Sequence, residues 1–302
     1  VPSFISDLGH EVGHFMNDQT LRYADGETVA FPLTAPEGGK EPLLAQMEGL
    51  DMGSDHDVFF EGSWRIPGLY LHEWPDRYIH TNFDVAANID PTKLKRSAFI
   101  GAVTGWFLAN MSDDDVPSVL AMLRRNALAR SAELVENRST LAPIDAVAMT
   151  DIHFAVERRK VHSVEPFATL ADGDHKSAVD FLNGLQILVA MPQPAGLMAR
   201  NETVYERNAD LQGPMRAFGY SYLADKLDAG SFGDLRLQQY STKAGGGGMF
   251  TYEALNFVDG KRTVSDIRDW LVAELGDVPL EYVEEYLSAL ESIGVINRKN
   301  ED

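Results

Sequence analysis

Arg65-Ile66-Pro67-Gly68-Leu69-Tyr70-Leu71 is the stretch of sequence that decides the predicted fold, because its apolar run is typical of a buried strand. A polar loop follows over residues 74–87. It leads to Asp90-Pro91, where Asp90 can cap a helix and Pro91 can occupy its first position, and the helix is predicted to reach about Met111. The order of strand, loop and helix predicts an α/β fold with a mostly parallel sheet.

The chain is predicted to divide into three regions. Residues 1–112 form a partial α/β/α layer, residues 113–244 form a mainly helical region, and residues 249–302 form a winged-helix-like module. Apolar residues at helical spacing predict the helices of the second region, which cover 119–137, 144–164 and 177–189. The glycines at 245–248 are interpreted as a flexible break before the module.

The last region carries the clearest local pattern. Thr263 and Asp266 form a predicted capping box at the start of a helix. Two apolar stripes at helical spacing follow, namely Ile267, Trp270, Leu271 and Leu275, then Val283, Tyr286, Leu287, Leu290 and Ile293. Residues 252–302 contain twelve acidic and five basic side chains, so contact with phosphate backbones is disfavoured.

Composition restricts the kinds of partner and site. The 302 residues include 46 acidic side chains against 26 Lys and Arg, so nucleic acid and anionic membranes are not expected partners. There is no cysteine, so a metal must be held by His, Asp or Glu. No apolar run is long enough to span a bilayer and no signal peptide pattern is present, which predicts a soluble chain of undetermined compartment.

The first residue is Val1, already at the edge of a helical pattern, and we therefore expect the chain to be a fragment or a processed product. In that helix, which Ser3 is predicted to cap, His10-Glu11-Val12-Gly13-His14 matches the HExxH pattern of zincins. There His10 and His14 would bind zinc and Glu11 would activate water. Asn17 and Thr20 stand where the extended metzincin pattern needs glycine and histidine.

We interpret the segment as an amphipathic helix and keep the zincin site as an alternative. In that interpretation Leu8, Val12 and Phe15 face the core, while His10 and His14 face solvent. Four further histidines without ligand-spaced partners are interpreted as structural residues, namely His72, His153, His162 and His175.

A second histidine-centred signal consists of four segments in a fixed order. They are Ser54-Asp55-His56-Asp57-Val58-Phe59, Ile66-Pro67, Tyr78-Ile79-His80-Thr81-Asn82-Phe83-Asp84, and Asn88-Ile89-Asp90. Ser54 with Asp57 also resembles a capping box. A strand that delivers a loop histidine at its carboxyl end suits a ligand site of an open α/β sheet.

Over about residues 1–111 these segments resemble the co-catalytic zinc aminopeptidases of the aminopeptidase Y and bacterial leucyl aminopeptidase type, whose relatives include glutamate carboxypeptidase and glutaminyl cyclase. That family shows a Ser-Asp-His-x-x-Phe stretch, an Ile-Pro strand and a His-Thr-x-x-Asp loop followed by Asn-x-Asp. The resemblance implies that His80 binds one zinc ion and that Asp55 orients a ligand or relays a proton. It also implies that Asp84 supports the loop.

The sequence departs from the family pattern in two ways. Tyr78 is one position away from the family's tyrosine, which directly precedes the ligand histidine, and Ile79 stands there instead. The family's amino-terminal His-x-Asp motif, Glu-Glu pair and further Asp are not found in this sequence. Because these supply most ligands and the base, the chain alone is predicted to be inactive.

The resemblance implies a peptidase that holds two zinc ions in the complete protein and hydrolyses the amino-terminal bond of a peptide or small amide substrate. Two alternatives stay open at this point. One is the zincin site at His10, Glu11 and His14, and the other is a non-catalytic interaction protein on a peptidase scaffold. The sequence does not indicate the oligomeric state.

Overall fold

The computed structural model describes residues 1–193 and 200–299 and is dominated by helices. Helices account for 56% of the chain, and the described residues form only two small antiparallel sheets of two strands each. The predicted α/β class with a mostly parallel sheet is therefore wrong. Residues 194–199, inside the predicted second region, and residues 300–302, at the end of the predicted third region, lie outside the described residues.

Residues 65–71 were predicted to form a buried strand, but they form no strand in the structure. Ile66 N donates to the carbonyl oxygen of Phe59 at 2.9 Å, but no described segment pairs with this apolar run as a neighbouring strand. A strand is stable only when a second strand satisfies its backbone groups. Within the described residues the run therefore follows an irregular path.

Twelve helices and four short strands are described. The helices are α1 (Phe4–Ala24), α2 (His56–Phe60), α3 (Pro91–Asn110), α4 (Val116–Asn137), α5 (Pro143–His162), α6 (Asp172–Val189), α7 (Tyr222–Lys226), α8 (Ala229–Gly233), α9 (Arg236–Gln239), α10 (Gly247–Asn256), α11 (Val264–Leu275) and α12 (Leu280–Ser292). The strands are β1 (Tyr205–Arg207), β2 (Arg216–Ala217), β3 (Tyr220–Ser221) and β4 (Ile296–Arg298). Antiparallel pairs join β1 with β4 and β2 with β3.

Local capping signals were predicted correctly at several helix starts. The Ser3 hydroxyl accepts from Ile5 N at 3.3 Å, and Asp90 accepts from Thr92 N at 2.8 Å. The reciprocal capping box of Thr263 and Asp266 is also present. Each of these bonds satisfies an amide that the first helical turn leaves unpaired.

A first hydrophobic core is formed by α1, α4, α5 and α6. Phe4 and Phe154 are fully buried in it, and Leu120 and Leu182 fill the space between helices. The predicted stripe of α1 is only partly correct, because Phe15 is 41% exposed while Met16 is completely buried. The buried face of α1 therefore runs through Leu8 and Met16 and not through Phe15.

A cluster of charged side chains crosses this first core. The Asp7 carboxylate of α1 is completely buried and lies 2.6 Å from Arg130 Nη1, 2.9 Å from Lys160 Nζ and 2.9 Å from Asn126 Nδ2. Arg130 also forms two parallel bonds with Glu157 at 2.7 and 2.8 Å. These contacts tie α1 to α4 and α5, and they leave each buried charge with an opposite partner.

The irregular segment between α1 and α2 is fixed by polar side chains of α1 and α3. Asn17 of α1 makes two bonds with the backbone of Ala45, both at 2.8 Å. Arg96 of α3 donates to the carbonyl oxygen of Glu41 at 2.6 Å. This segment therefore has no regular structure of its own, and helix side chains satisfy part of its backbone.

A second hydrophobic core lies between α10, α11, α12 and the strand pair β1–β4. The predicted apolar stripes are confirmed by seven buried residues, namely Ile267, Leu271, Leu275, Val283, Tyr286, Leu287 and Leu290. The predicted glycine break is corrected, because Gly247 and Gly248 already belong to α10. A side chain on Gly247 would collide with the carbonyl oxygen of Gln238, so glycine permits close packing here.

The two cores are joined where α5 packs on α11. Arg268 of α11 forms an ion pair with Asp145 of α5 and a second one with Asp277 at 2.9 Å. Arg159 of α5 lies over the ring of Trp270, 5.1 Å from its centroid. The described helices include none with the length and apolar character needed to cross a bilayer.

Replacing Asp7 by Asn should lower the free energy of unfolding by about 3 kcal/mol, because Lys160 and Arg130 lose a buried countercharge. Burial raises the pKa of Asp7, but Lys160 and Arg130 outweigh it and hold this pKa below its ordinary value. The unfolded state therefore binds the proton more readily. The stabilisation should be complete above about pH 4 and should disappear as the pH falls through the lower pKa of the folded state.

Urea unfolding of the original chain and the D7N variant between pH 3 and pH 7 measures this difference. Asp18→Asn is the matched control, because Asp18 lies on the same helix with 58% of its side chain exposed. Equal stability of D7N and the original chain at pH 7 would contradict a structural role for the cluster.

Candidate functional site

The loop of His80 is a sequence of tight turns on the surface. Asp76 Oδ1 accepts from Tyr78 N at 2.7 Å and from Ile79 N at 3.1 Å, and Thr81 N donates to the carbonyl oxygen of Tyr78 at 3.0 Å. His80 has a φ of 61°, in the left-handed region that side chains rarely adopt. Its imidazole is exposed at the tip of the turn.

The structure does not bring the other implied site residues to this imidazole. Asp84 is exposed and bonds to the turn only through its backbone, where its N–H donates to Thr81 O at 3.2 Å. Tyr78 is half-buried, and the Arg77 guanidinium lies 5.9 Å from its ring centroid. Asp55 is exposed before α2 without a capping bond. Within residues 1–193 and 200–299, no group of three potential ligands could hold a metal ion.

The histidines of the HExxH segment do lie together. The rings of His10 and His14 are 4.2 Å apart between centroids on the surface of α1. Burial lowers the pKa of His10, and the neighbouring His14 lowers it further. Glu11, however, forms an ion pair with Arg125 Nη2 at 2.7 Å. This contact joins the Glu11 carboxylate to α4.

A stack of aromatic rings was not expected from the sequence. The His56 ring stacks on Tyr70 at 3.9 Å, and Tyr70 stacks on His72 at 4.7 Å. His72 Nε2 lies 3.5 Å from Asp51 Oδ2, and His56 Nε2 lies 2.9 Å from the carbonyl oxygen of Asp51. His72 thus lies beside the Asp51 carboxylate of the irregular segment between α1 and α2.

The only sequence signal for this stack is the spacing of Tyr70 and His72, because residues two apart share one face of an extended segment. Their contact with His56 and Asp51 depends on the path of the loop, which a linear pattern does not give. Because a carbonyl oxygen only accepts, His56 Nε2 carries a proton. His56 Nδ1 is buried and has no hydrogen-bond partner among the described residues.

The Ser54–Phe59 stretch is anchored on the second core. Tyr252 donates its hydroxyl to the carbonyl oxygen of Asp57 at 2.7 Å, and Phe218 N donates to Asp57 Oδ2 at 2.9 Å. The expected capping box of Ser54 with Asp57 is wrong, because α2 begins only at His56 and the Asp57 carboxylate accepts from Phe218. The stretch is thus held by contacts with residues that are distant in sequence and not by a local helix cap.

A buried ion pair completes this anchor. Glu61, whose side chain is 1% exposed, lies 2.6 Å from Arg207 Nη1 of β1. The same guanidinium donates to Ser63 Oγ at 3.1 Å and to the carbonyl oxygen of Leu255 at 3.1 Å. The segment 53–65 is therefore attached to β1 and α10 through charge-assisted bonds.

Comparisons with known proteins identify neither the fold nor the site. No protein family, curated protein or solved structure matches the chain. The functional assignment must therefore rest on the residues and on their geometry.

Replacing Glu61 by Gln should loosen the segment 53–65, because the partly buried Arg207 loses its countercharge. We expect hydrogen exchange of the backbone amides of this segment to accelerate at least tenfold, with little change in α4 and α5. Exchange followed by mass spectrometry measures this effect. Asp55→Asn is the control on the same segment, and equal exchange in both variants would disprove the anchoring role of Glu61.

Proposed function

We propose that the chain is part of a zinc-dependent aminopeptidase-type exopeptidase in which His80 supplies one zinc ligand. The observation that carries this proposal is the exposed His80 imidazole at the tip of a turn. Asp76 fixes the backbone of that turn through two amides, and neither ring nitrogen of His80 makes a hydrogen bond within residues 1–193 and 200–299. Along the sequence, the segments quoted from Ser54 to Asp90 follow the order that the aminopeptidase family shows.

The number of zinc ligands that this chain supplies limits its part in a zinc site. A neutral imidazole is a favourable zinc ligand, but a catalytic zinc needs three protein ligands and an open position for water. His80 satisfies one of these requirements, and the proposal requires further ligands and a general base that residues 1–193 and 200–299 do not place beside it. When bound, zinc supplies an activated water and polarises the scissile carbonyl.

The roles of the chain's own residues follow from their positions. Asp76 holds the turn, and Asp84 continues it through its backbone. Asp55 has an exposed carboxylate that can orient a ligand of a completed site. The net charge of −20 creates a negative potential that attracts the protonated amino terminus of a peptide substrate. The preferred substrate is thus a peptide or a small amide with a free amino group.

Two other functions have some support from specific observations. The proximity of the His10 and His14 rings suits a shared metal ion, although Glu11 is bound to Arg125. A non-catalytic interaction role is favoured by large apolar side chains on the surface. Trp74 is 69% exposed and Phe83 is 63% exposed, both close in sequence to the His80 loop.

The replacement His80→Ala, made in protein expressed from the complete gene, should reduce cleavage of an aminoacyl anilide at least a hundredfold. It should also lower the zinc content from about two ions per chain, because one ligand is lost. Metal analysis and steady-state kinetics measure both effects. His162→Ala is the matched control, since His162 is an exposed histidine on α5. Unchanged zinc and activity in H80A would refute the proposal.

The double replacement of His10 and His14 by Ala tests the zincin alternative in the same protein. We expect zinc content and peptidase activity within about twofold of the original, because Glu11 is not available as a base. Loss of zinc in this variant, with H80A unaffected, would favour the zincin site.

A further inference from the structure

A cleft of about 380 Å³ opens beside β1 and the turn that joins α10 to α11. Its charged lining consists of Arg65, Arg207, Lys261 and Lys299 with the carboxylates of Glu206 and Asp259. Four cations therefore face two carboxylates in a chain whose net charge is −20. The cleft is a local region of positive charge on an acidic protein, and such a region concentrates anions.

The two arginines of the cleft are held in place. Arg65 Nε donates to the carbonyl oxygen of Gly62 at 3.1 Å, and its terminal nitrogens make no ion pair among the described residues. Arg207 is fixed by Glu61, and its Nε is buried without a partner in that same part of the chain. The terminal N–H groups of Arg65 can therefore donate to an oxyanion, whereas those of Arg207 are already bonded to protein oxygens, so Arg207 adds positive charge but no accessible donor.

The two lysines lie at the turn formed by Asp259 and Gly260. Lys299 Nζ donates to the carbonyl oxygen of Gly260 at 3.0 Å, and its backbone N–H donates to Val204 O at 2.9 Å. Lys261 is exposed on the same turn and has no ion-pair partner within residues 1–193 and 200–299. Two ammonium groups are therefore placed around one turn.

The two carboxylates of the lining have different surroundings. Asp259 accepts from the backbone N–H groups of Lys261 and Arg262 at 3.0 and 2.9 Å, and its other oxygen lies 2.9 Å from Arg262 Nη1. Its charge is thus compensated within the turn. Glu206 is exposed and makes no ion pair in the described part of the chain, so its charge opposes an anion in the cleft.

We propose that this cleft binds a small phosphate monoester. Arginine offers paired donors that match phosphate oxygens, and lysine adds point charges that favour a dianion. The volume exceeds the size of a bare oxyanion, which leaves room for an organic group, and Glu206 can accept a hydrogen bond from a hydroxyl of that group. A nucleic acid does not fit, because residues 252–302 contain twelve acidic and five basic side chains.

Isothermal titration of the 302-residue chain with phenyl phosphate at low ionic strength tests this site. The double variant Lys261→Gln with Lys299→Gln should bind at least tenfold more weakly, since two cations leave the cleft. Glu206→Gln should bind more tightly than the original chain because it removes a like charge. Lys243→Gln is the control, as Lys243 is an exposed lysine that does not line the cleft.

Two comparison ligands test whether the cleft recognises a phosphate monoester or attracts any small anion. Inorganic phosphate should bind more weakly than phenyl phosphate because it lacks the organic group, and benzoate should bind more weakly still because it has a single charge. The proposal is overturned if phenyl phosphate does not bind, if the double lysine variant binds as the control does, or if either comparison ligand binds as tightly as phenyl phosphate. The result does not depend on zinc, so it is independent of the proposed peptidase function.

Discussion

The buried carboxylate of Asp7 is the interaction on which the arrangement of the first helices depends. A buried carboxylate is stable only when opposite charges and donors surround it, and Arg130, Lys160 and Asn126 supply them from α4 and α5. This requirement fixes the rotation of α1 against its neighbours. His10, Glu11 and His14 are consequently placed on the side of α1 next to α4, where Glu11 reaches Arg125.

Helix caps and apolar stripes could be predicted from the sequence because each depends on residues that are close together along the chain. The caps at Ser3, Asp90 and Thr263 and the apolar stripes of α11 and α12 were predicted correctly for this reason. Residues 65–71 were predicted wrongly as a strand because a strand needs a partner segment that the described residues do not provide. Apolar character alone does not indicate whether such a partner exists.

The candidate site shows the same division between local and distant contacts. The position of His80 in a polar loop could be read from the sequence, and the turn around it is stabilised locally by Asp76. The bonds of Asp57 with Phe218 and of Glu61 with Arg207 link residues more than 140 positions apart. No spacing rule predicts such pairs, so the attachment of the Ser54–Phe59 stretch to the second core became visible only in the structure.

The central proposal is that His80 binds zinc and that the HExxH segment of α1 is structural. Anomalous X-ray scattering at the zinc edge, from crystals of protein expressed from the complete gene, tests it most directly. The account predicts a zinc peak about 2.0–2.1 Å from a ring nitrogen of His80, with none between His10 and His14. A zinc peak bound by His10 and His14, or no zinc at His80, would contradict it.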